Sequence, residues 1–382
     1  MTTMRPRERA TAALHHQEPD RVPLDIGGGA STSLVVEAHD KLKQHWGITA
    51  PERIISKSFR VARLDEETMR RLGSDFRPIT LKAPRNWAPP PSEPGTFVDE
   101  LGVKWRQAHY AGGYYWELAQ CPLADATIAD LESYPWPDPD DPGRYVGLAE
   151  EIKDLYNNTP YALVGDGGFK GFWEPAFMLR GLTQALMDLV QNKEFMHALL
   201  GKLLEINTAV AKRFLEIVGP YVTVVRTADD LATQKSLLMS PATYREMIQP
   251  YQKKLNQTLK QYTDAILFYH SCGNVTSLVG DLIDSGVEAL NPVQVTAIPD
   301  PAGLKAKYGD RLCFWGAIDT QHVLPHGTPE DVRQEVRLRL RQLGQGGGYV
   351  VAGVHNLQPD VPPQNIIAMA EAAREFGAYP LQ

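Results

Sequence analysis

The sequence predicts a (β/α)₈ barrel, and three observations predict it. Eight short runs rich in β-branched and aromatic residues recur along the chain, stretches of helical periodicity separate them, and residues suited to chemistry stand where the runs end. Parallel strands need long crossovers, and eight strand–helix units close most economically into a barrel. The expected strands are 21–26, 76–81, 161–165, 222–227, 265–269, 287–291, 312–316 and 348–352. Residues 1–382 are read as one barrel domain. Residues 1–20, helical over 5–14, read as an N-terminal helical cap. Residues 83–144 hold ten of the 29 prolines and bracket a β-like pair, 96–106 and 113–119. That reads as a hairpin insertion between early strands, too short and loop-rich for a core of its own. Ser240-Pro241 opens a helix expected to run through Tyr262, and Thr328-Pro329-Glu330 opens one through Leu343, each with a hydroxyl at the N-cap and proline at the first helical position.

Composition narrows the function. The chain is 43% hydrophobic, enough for a large core, and no apolar run approaches the length that crosses a bilayer. A net charge of -7 argues against nucleic acid as a partner, because phosphate binding needs a concentrated basic face. The densest basic cluster, Arg333, Arg337, Arg339 and Arg341, is interleaved with Glu330, Asp331 and Glu335 and reads as a solvated helix face. Cys121, Cys272 and Cys313 are too few for a disulfide framework, and no apolar segment follows the basic start, so a cytoplasmic location is expected.

The most informative stretch is Ile266-Leu267-Phe268-Tyr269-His270-Ser271-Cys272-Gly273-Asn274. Residues i and i+2 of an extended segment point the same way, so His270 and Cys272 can reach one small object at a strand end. Imidazole and thiolate suit zinc, and an incomplete ligand set leaves a position for substrate. A buried cysteine beside a hydrogen-bonded histidine is the alternative. A third N or S donor should come from another strand end, where His355 stands, since Cys313 lies inside an expected strand as a core thiol. The barrel rule gathers Asp25 with Gly27 to Gly29, Asp166, Asp229-Asp230, Asn291 and Asp319 at the same face.

These residues carry a resemblance. His270-Ser271-Cys272-Gly273-Asn274, with Gly353-Val354-His355-Asn356-Leu357-Gln358-Pro359-Asp360, Pro19-Asp20-Arg21-Val22-Pro23, Asp229-Asp230-Leu231-Ala232-Thr233-Gln234 and Asn291-Pro292-Val293-Gln294, resembles the uroporphyrinogen decarboxylase superfamily over essentially the whole chain. Within it, the sequence is most similar to zinc-dependent methyltransferases that exchange methyl groups with corrinoid proteins. The resemblance implies the barrel, a zinc ion held by His270 and Cys272, and cobalamin, either free or on a partner protein. The second cysteine of those methyltransferases falls on His355, so the implied set is N₂S. His355 also matches a histidine that contacts substrate without metal in the true decarboxylases.

The first strand separates the two branches. The decarboxylases follow it with an arginine-bearing segment that pairs with the many carboxylates of their substrate, whereas Asp25-Ile26-Gly27-Gly28-Gly29-Ala30 offers no cation there. The expected function is therefore zinc-dependent methyl transfer between a corrinoid and a small substrate that is either methoxylated, with an aromatic one favoured, or a thiol. A metal-free decarboxylase of a small acid and a non-catalytic small-molecule or corrinoid binder are the alternatives. A homodimer is compatible with the resemblance, and no membrane partner is expected. Asp229 and Asp230 are the catalytic candidates, able to orient an imidazole, supply an oxygen ligand or move a proton; helix capping or a turn is their alternative, as it is for Asp319. Phe169, Phe172, Trp173, Tyr114, Tyr115 and Trp116 read as pocket walls or as plain packing. Gly28 reads as a point where substrate approaches the backbone, or as a simple loop residue.

Overall fold

The computed structural model describes residues 3–110, 113–169 and 171–381; Met1 and Thr2 of the expected cap lie outside them. Twelve strands occur among these residues. In chain order they are β1 (Ile54–Ser56), β2 (Val61–Ala62), β3 (Phe76–Thr80), β4 (Thr96–Val98), β5 (Lys104–Tyr110), β6 (Gly113–Gln120), β7 (Ala162–Asp166), β8 (Val224–Ala228), β9 (Ile266–His270), β10 (Ala289–Asn291), β11 (Cys313–Ile318) and β12 (Tyr349–Gly353). Seven of them, β3 and β7 to β12, form one parallel curled sheet in sequence order with helices packed around it.

The eighth position is filled differently from expectation. Residues 21–26 lie between β12 and β3, bonded through Asp25 N–H to Val351 O at 2.8 Å, Val351 N–H to Pro23 O at 2.9 Å and Asp75 N–H to Leu24 O at 2.8 Å. They make isolated bridges, Leu24 with Val351 in parallel and Arg21 with Ala378 antiparallel, rather than a regular strand. Pro23 has no N–H to give, and side chains take two more: Leu24 N–H bonds to Asp75 Oδ2 at 2.8 Å and Ile26 N–H to Ser74 Oγ at 3.1 Å. The (β/α)₈ closure therefore holds with one irregular stave.

Two layers of apolar side chains follow from strand alternation. Inside the barrel, Phe76, Val164, Val224, Ile266, Phe268, Trp315 and Val350 pack together and onto Ala10 and Leu14 of the helix Pro6–Leu14, which plugs the N-terminal end. That plug is fastened by Arg9 and Arg21, both on the buried Asp75 carboxylate at 2.7 and 2.9 Å. Cys313 is part of this inner core, with its thiol on Leu14 O at 3.2 Å. The larger core lies between the sheet and the outer helices.

Two local expectations change. The insertion is a three-stranded antiparallel sheet, β4-β5-β6, not a two-stranded hairpin. Asp99 splits the first expected strand by accepting Leu101 N–H and Val103 N–H, both at 3.0 Å, and Gly102 supplies the left-handed φ of 78° that the turn needs. The helix expected over 240–262 is two, Pro241–Met247 and Gln249–Leu259, because Pro250 cannot donate into the preceding turn. Pro329–Leu343 runs as expected from its Thr328 cap.

One helix end sets up the site. The helix Trp173–Arg180 has no side-chain cap of its own, and Asp229, from the end of β8, accepts the N–H groups of Phe172, Trp173 and Glu174 at 2.7, 2.6 and 2.7 Å. This buried carboxylate satisfies N–H groups that the helix itself leaves unpaired. Asp229→Ala should lower stability by about 2–4 kcal/mol, since it strands buried donors. Urea unfolding of the two proteins is the measurement, with Asp229→Asn, which keeps an acceptor oxygen, falling between them.

Candidate metal centre and active site

The alternation that buries Val224, Ile266 and Phe268 inside the barrel also carries Arg226, Ala228 and His270 to the same side, one or two steps nearer the C-terminal mouth. His270 is abreast of Ala228 on one side and Asn291 on the other. Asn291 is fully buried; its amide donates to Trp315 O at 3.4 Å, which leaves Oδ1 to accept from His270 Nδ1 at 2.5 Å. The proton therefore sits on Nδ1, and Nε2 presents a lone pair toward the mouth.

Each residue after His270 has a place. Ser271 Oγ accepts Leu231 N–H at 3.0 Å, Cys272 N–H donates to Asp230 Oδ1 at 2.7 Å, Gly273 N–H to Gln294 Oε1 at 2.6 Å and Asn274 N–H to Thr233 O at 2.9 Å. Gly273 has φ 89°, and a Cβ there would stand 2.6 Å from the carbonyls of Ala232 and Thr233, so only glycine permits this approach. The segment is thereby laced onto residues 230–233, and Cys272 Sγ is held 3.5 Å from His270 Nε2.

His355 reaches the same point from the loop after β12, its ring edge-on to His270 with centroids 5.7 Å apart. One donor atom from each of His270, Cys272 and His355 lies within 4.8 Å of the other two. Burial holds both imidazoles down at about 4, helped for His270 by Arg226 and for His355 by His270, so both are neutral ligands at neutral pH. Burial, with Asp230 and Glu174 behind it, pushes the Cys272 thiol well up. Two imidazole lone pairs and a thiol that loses its proton on metalation form a donor set suited to zinc.

A cavity of about 340 Å³ opens beside these ligands. His270, His355, Asp230, Glu174 and Arg226 line its inner wall, and Ser56, Phe59, Phe97 and Trp105 from β1, its turn and the insertion line the outer one. Arg226 is steadied by Ser31 Oγ at 2.8 Å and Asp166 Oδ1 at 3.4 Å. A second cavity, of about 300 Å³, lies against Cys272 and also touches His355; Thr233, Gln234, Gln294, Thr320 and Gln321 give it a neutral, hydrogen-bonding wall.

The other expected site residues take varied places. Asp230 faces the cavity, 3.8 Å from His270 Nε2, while its neighbour Asp229 points the opposite way into the helix end, where burial raises its carboxyl to about 7 against the pull of three N–H groups. Phe169 is buried against Phe214 and Trp173 against Phe177, so the cavity's aromatic wall is built by Phe59, Phe97 and Trp105 instead. Gly28 is not among the residues lining the cavity: its N–H bonds to Asp25 Oδ1 at 2.8 Å, and a Cβ would meet that oxygen at 2.4 Å and Phe76 Cβ at 2.7 Å. Its near neighbours Ala30 and Ser31 line the cavity. Asp319 closes a turn by accepting the N–H groups of Gln321 and His322 at 2.7 and 3.2 Å. Glu174 went unread in the sequence; an acidic residue in a helix's first turn looks like a complement to the helix dipole, and nothing in its spacing links it to Asp230.

Comparison with known proteins agrees with this architecture. A methyltransferase from Methanosarcina mazei superposes with a TM-score of 0.65 at 19% identity, covering 98% of this chain and 100% of that one, and so shares the fold. The uroporphyrinogen decarboxylase of Chlorobium limicola is 28% identical over 271 residues, which is 65% of this chain and 70% of the relative. The methylcobamide:CoM methyltransferase MtaA of Methanosarcina barkeri is 28% identical over 207 residues, 52% of this chain and 58% of the relative. The family described as Uroporphyrinogen decarboxylase (URO-D) matches residues 120–376, which contain the whole His270, Cys272 and His355 constellation, and the chain belongs to that family.

Proposed function

We propose that this protein is a zinc-dependent methyltransferase that moves a methyl group between a small substrate and a corrinoid carried by a partner protein. The observation that carries the reading is the convergence of His270, Cys272 and His355, with the tautomer of His270 set by Asn291, beside two cavities of small-molecule size: His270 and His355 line one, Cys272 and His355 the other. Similarity to a methylcobamide:CoM methyltransferase supports it. Bound zinc would supply Lewis acidity, drawing electron density from a substrate oxygen or sulfur. His270, Cys272 and His355 would hold it, and Asn291 and Asp230 keep the first two aimed.

The remaining chemistry belongs to the cavity walls. Phe97 and Trp105 offer flat apolar surface to a ring, which favours a methoxylated aromatic substrate, and Arg226 supplies a fixed positive charge. Arg226 also sustains the second reading, a metal-free decarboxylase of a small acid, because one guanidinium can seat one carboxylate. A uroporphyrinogen molecule carries many carboxylates, and the Lys and Arg side chains along this cavity, among the described residues, are Arg226 and Lys57.

Purified wild-type protein should contain one zinc per chain, and metal analysis should find it lost in Cys272→Ser and His355→Ala. Asn291→Ala should keep the three ligands but weaken zinc binding by about 10- to 100-fold in a chelator competition, because the His270 ring loses its orienting partner. Equal zinc in wild type and Cys272→Ser would remove the assignment.

Methyl transfer is tested by mixing the zinc-loaded protein with cob(I)alamin, free or on a corrinoid protein, and a panel of methyl ethers, methylated amines and thiols. Conversion to or from methylcobalamin, followed by absorbance, is the expected result, with Cys272→Ala lowering turnover far more than substrate binding. Release of carbon dioxide from a small acid without added metal would instead favour the decarboxylase, and uroporphyrinogen should yield no coproporphyrinogen in either case.

A further inference from the structure

Glu174 occupies the cavity wall beside the candidate ligands, and the reactions considered so far leave it without a role. Its backbone is fixed, since its N–H is one of the three that Asp229 caps. Its side chain turns toward β8, where Oε2 accepts Asp230 N–H at 3.4 Å. Among the described residues no Lys, Arg or His lies within ion-pairing distance of it. Its charged surroundings are instead the carboxyls of Asp229 and Asp230, with Arg226 farther off, and the neutral Tyr269 and Cys272 complete the set of titratable neighbours. Three carboxyls converge at the cavity wall, and Glu174 has the weakest support for a charge: Asp229 has three N–H donors and Asp230 has the N–H of Cys272. Burial and the two neighbouring carboxylates raise its pKa well above the ordinary glutamate range, which favours the protonated form. The side chain lines the cavity in which His270 and His355 stand.

We propose that Glu174 is the general acid that protonates a departing oxygen, and that the methyl donor is accordingly an oxygen ether. This inference rests on the methyl-transfer reading. The step balances as follows. The electron pair of cob(I)alamin forms the new bond to the methyl carbon while the carbon–oxygen bond breaks with its pair going to oxygen. The Glu174 proton moves to that oxygen, giving an alcohol or phenol and a Glu174 carboxylate that solvent reprotonates. A protonated acid at this point has no use in methylating a thiol, which must lose a proton, nor in demethylating a quaternary amine, whose leaving group departs neutral. An alkoxide or phenoxide leaves as a basic anion and gains most from an acid of this kind.

Glu174→Gln separates the possibilities. In the infrared spectrum at neutral pH, without substrate, the wild type should show a carboxylic-acid carbonyl band that shifts in D2O and is missing from Glu174→Gln. Its absence from the wild type overturns the proposal whatever the enzyme's activity. With aryl methyl ethers of graded leaving-group basicity, Glu174→Gln should lose about 100-fold or more on unactivated ethers and little on nitro-activated ones. Glu174→Asp should restore part of the loss. An equal loss across the series, in protein with wild-type circular dichroism and zinc content, overturns the role of Glu174 and leaves methyl transfer standing. If Glu174→Gln does not fold, the same graded series on Glu174→Asp decides between a basicity-dependent loss and a uniform one. No transfer from any ether by the wild type sinks both readings, and transfer from amines or thiols alone sinks this one only.

Discussion

Period-two alternation in the parallel strands is the constraint from which the rest of the site follows. A barrel strand must put every second side chain inside, so the residues that fill the inner core and those that face the mouth are drawn from one series. In β8 the series is Val224, Arg226, Ala228; in β9 it is Ile266, Phe268, His270. The lower members are apolar and seal the barrel onto the helix Pro6–Leu14. The upper members, Arg226, Ala228 and His270, line the cavity. The face on which His270 stands is fixed once Phe268 is buried, and Asn291 then orients its ring.

The same rule divides labour between Asp229 and Asp230, which adjoin in sequence and face opposite ways. Asp229 enters the helix end at Trp173, and Asp230 enters the cavity and takes Cys272 N–H. Each carboxylate organises one wall: the first fixes the backbone that presents Glu174, the second fixes the segment that presents Cys272. The cost is three carboxyls crowded together, and the electrostatic consequence is that each is pushed toward its protonated form. A device for positioning two loops thus also sets the charge balance of the cavity wall.

Most of the barrel was legible because its strands are buried on both faces and read as compact apolar runs, and His270 and Cys272 because one strand's alternation brings them together. His355 was reachable by the strand-end rule alone. What was not legible depends on contacts between distant segments. The irregular stave at 21–26 arises from the side chains of Asp75 and Ser74, some fifty residues on, and the turn that splits the insertion from Asp99 bonding ahead of itself. The aromatic wall went astray for a similar reason: Phe169 and Trp173 flank a strand end, but the helix capped by Asp229 turns them into the core, and the insertion brings Phe97 and Trp105 over the mouth. Glu174 could not be found without knowing that this helix end meets β8.

The donor set and the carboxyls beside it make sense together as a matter of charge. Under the zinc reading, one thiolate and two neutral imidazoles leave the ion with net positive charge, where a second thiolate would cancel it. An ion left more positive would be the stronger Lewis acid, and would pull hardest on an oxygen lone pair, the weaker donor in comparison with a thiolate. On that reading, histidine rather than sulfur at position 355 and the carboxyl of Glu174 would press in the same direction: one would withdraw density from a departing oxygen, and the other would give it a proton.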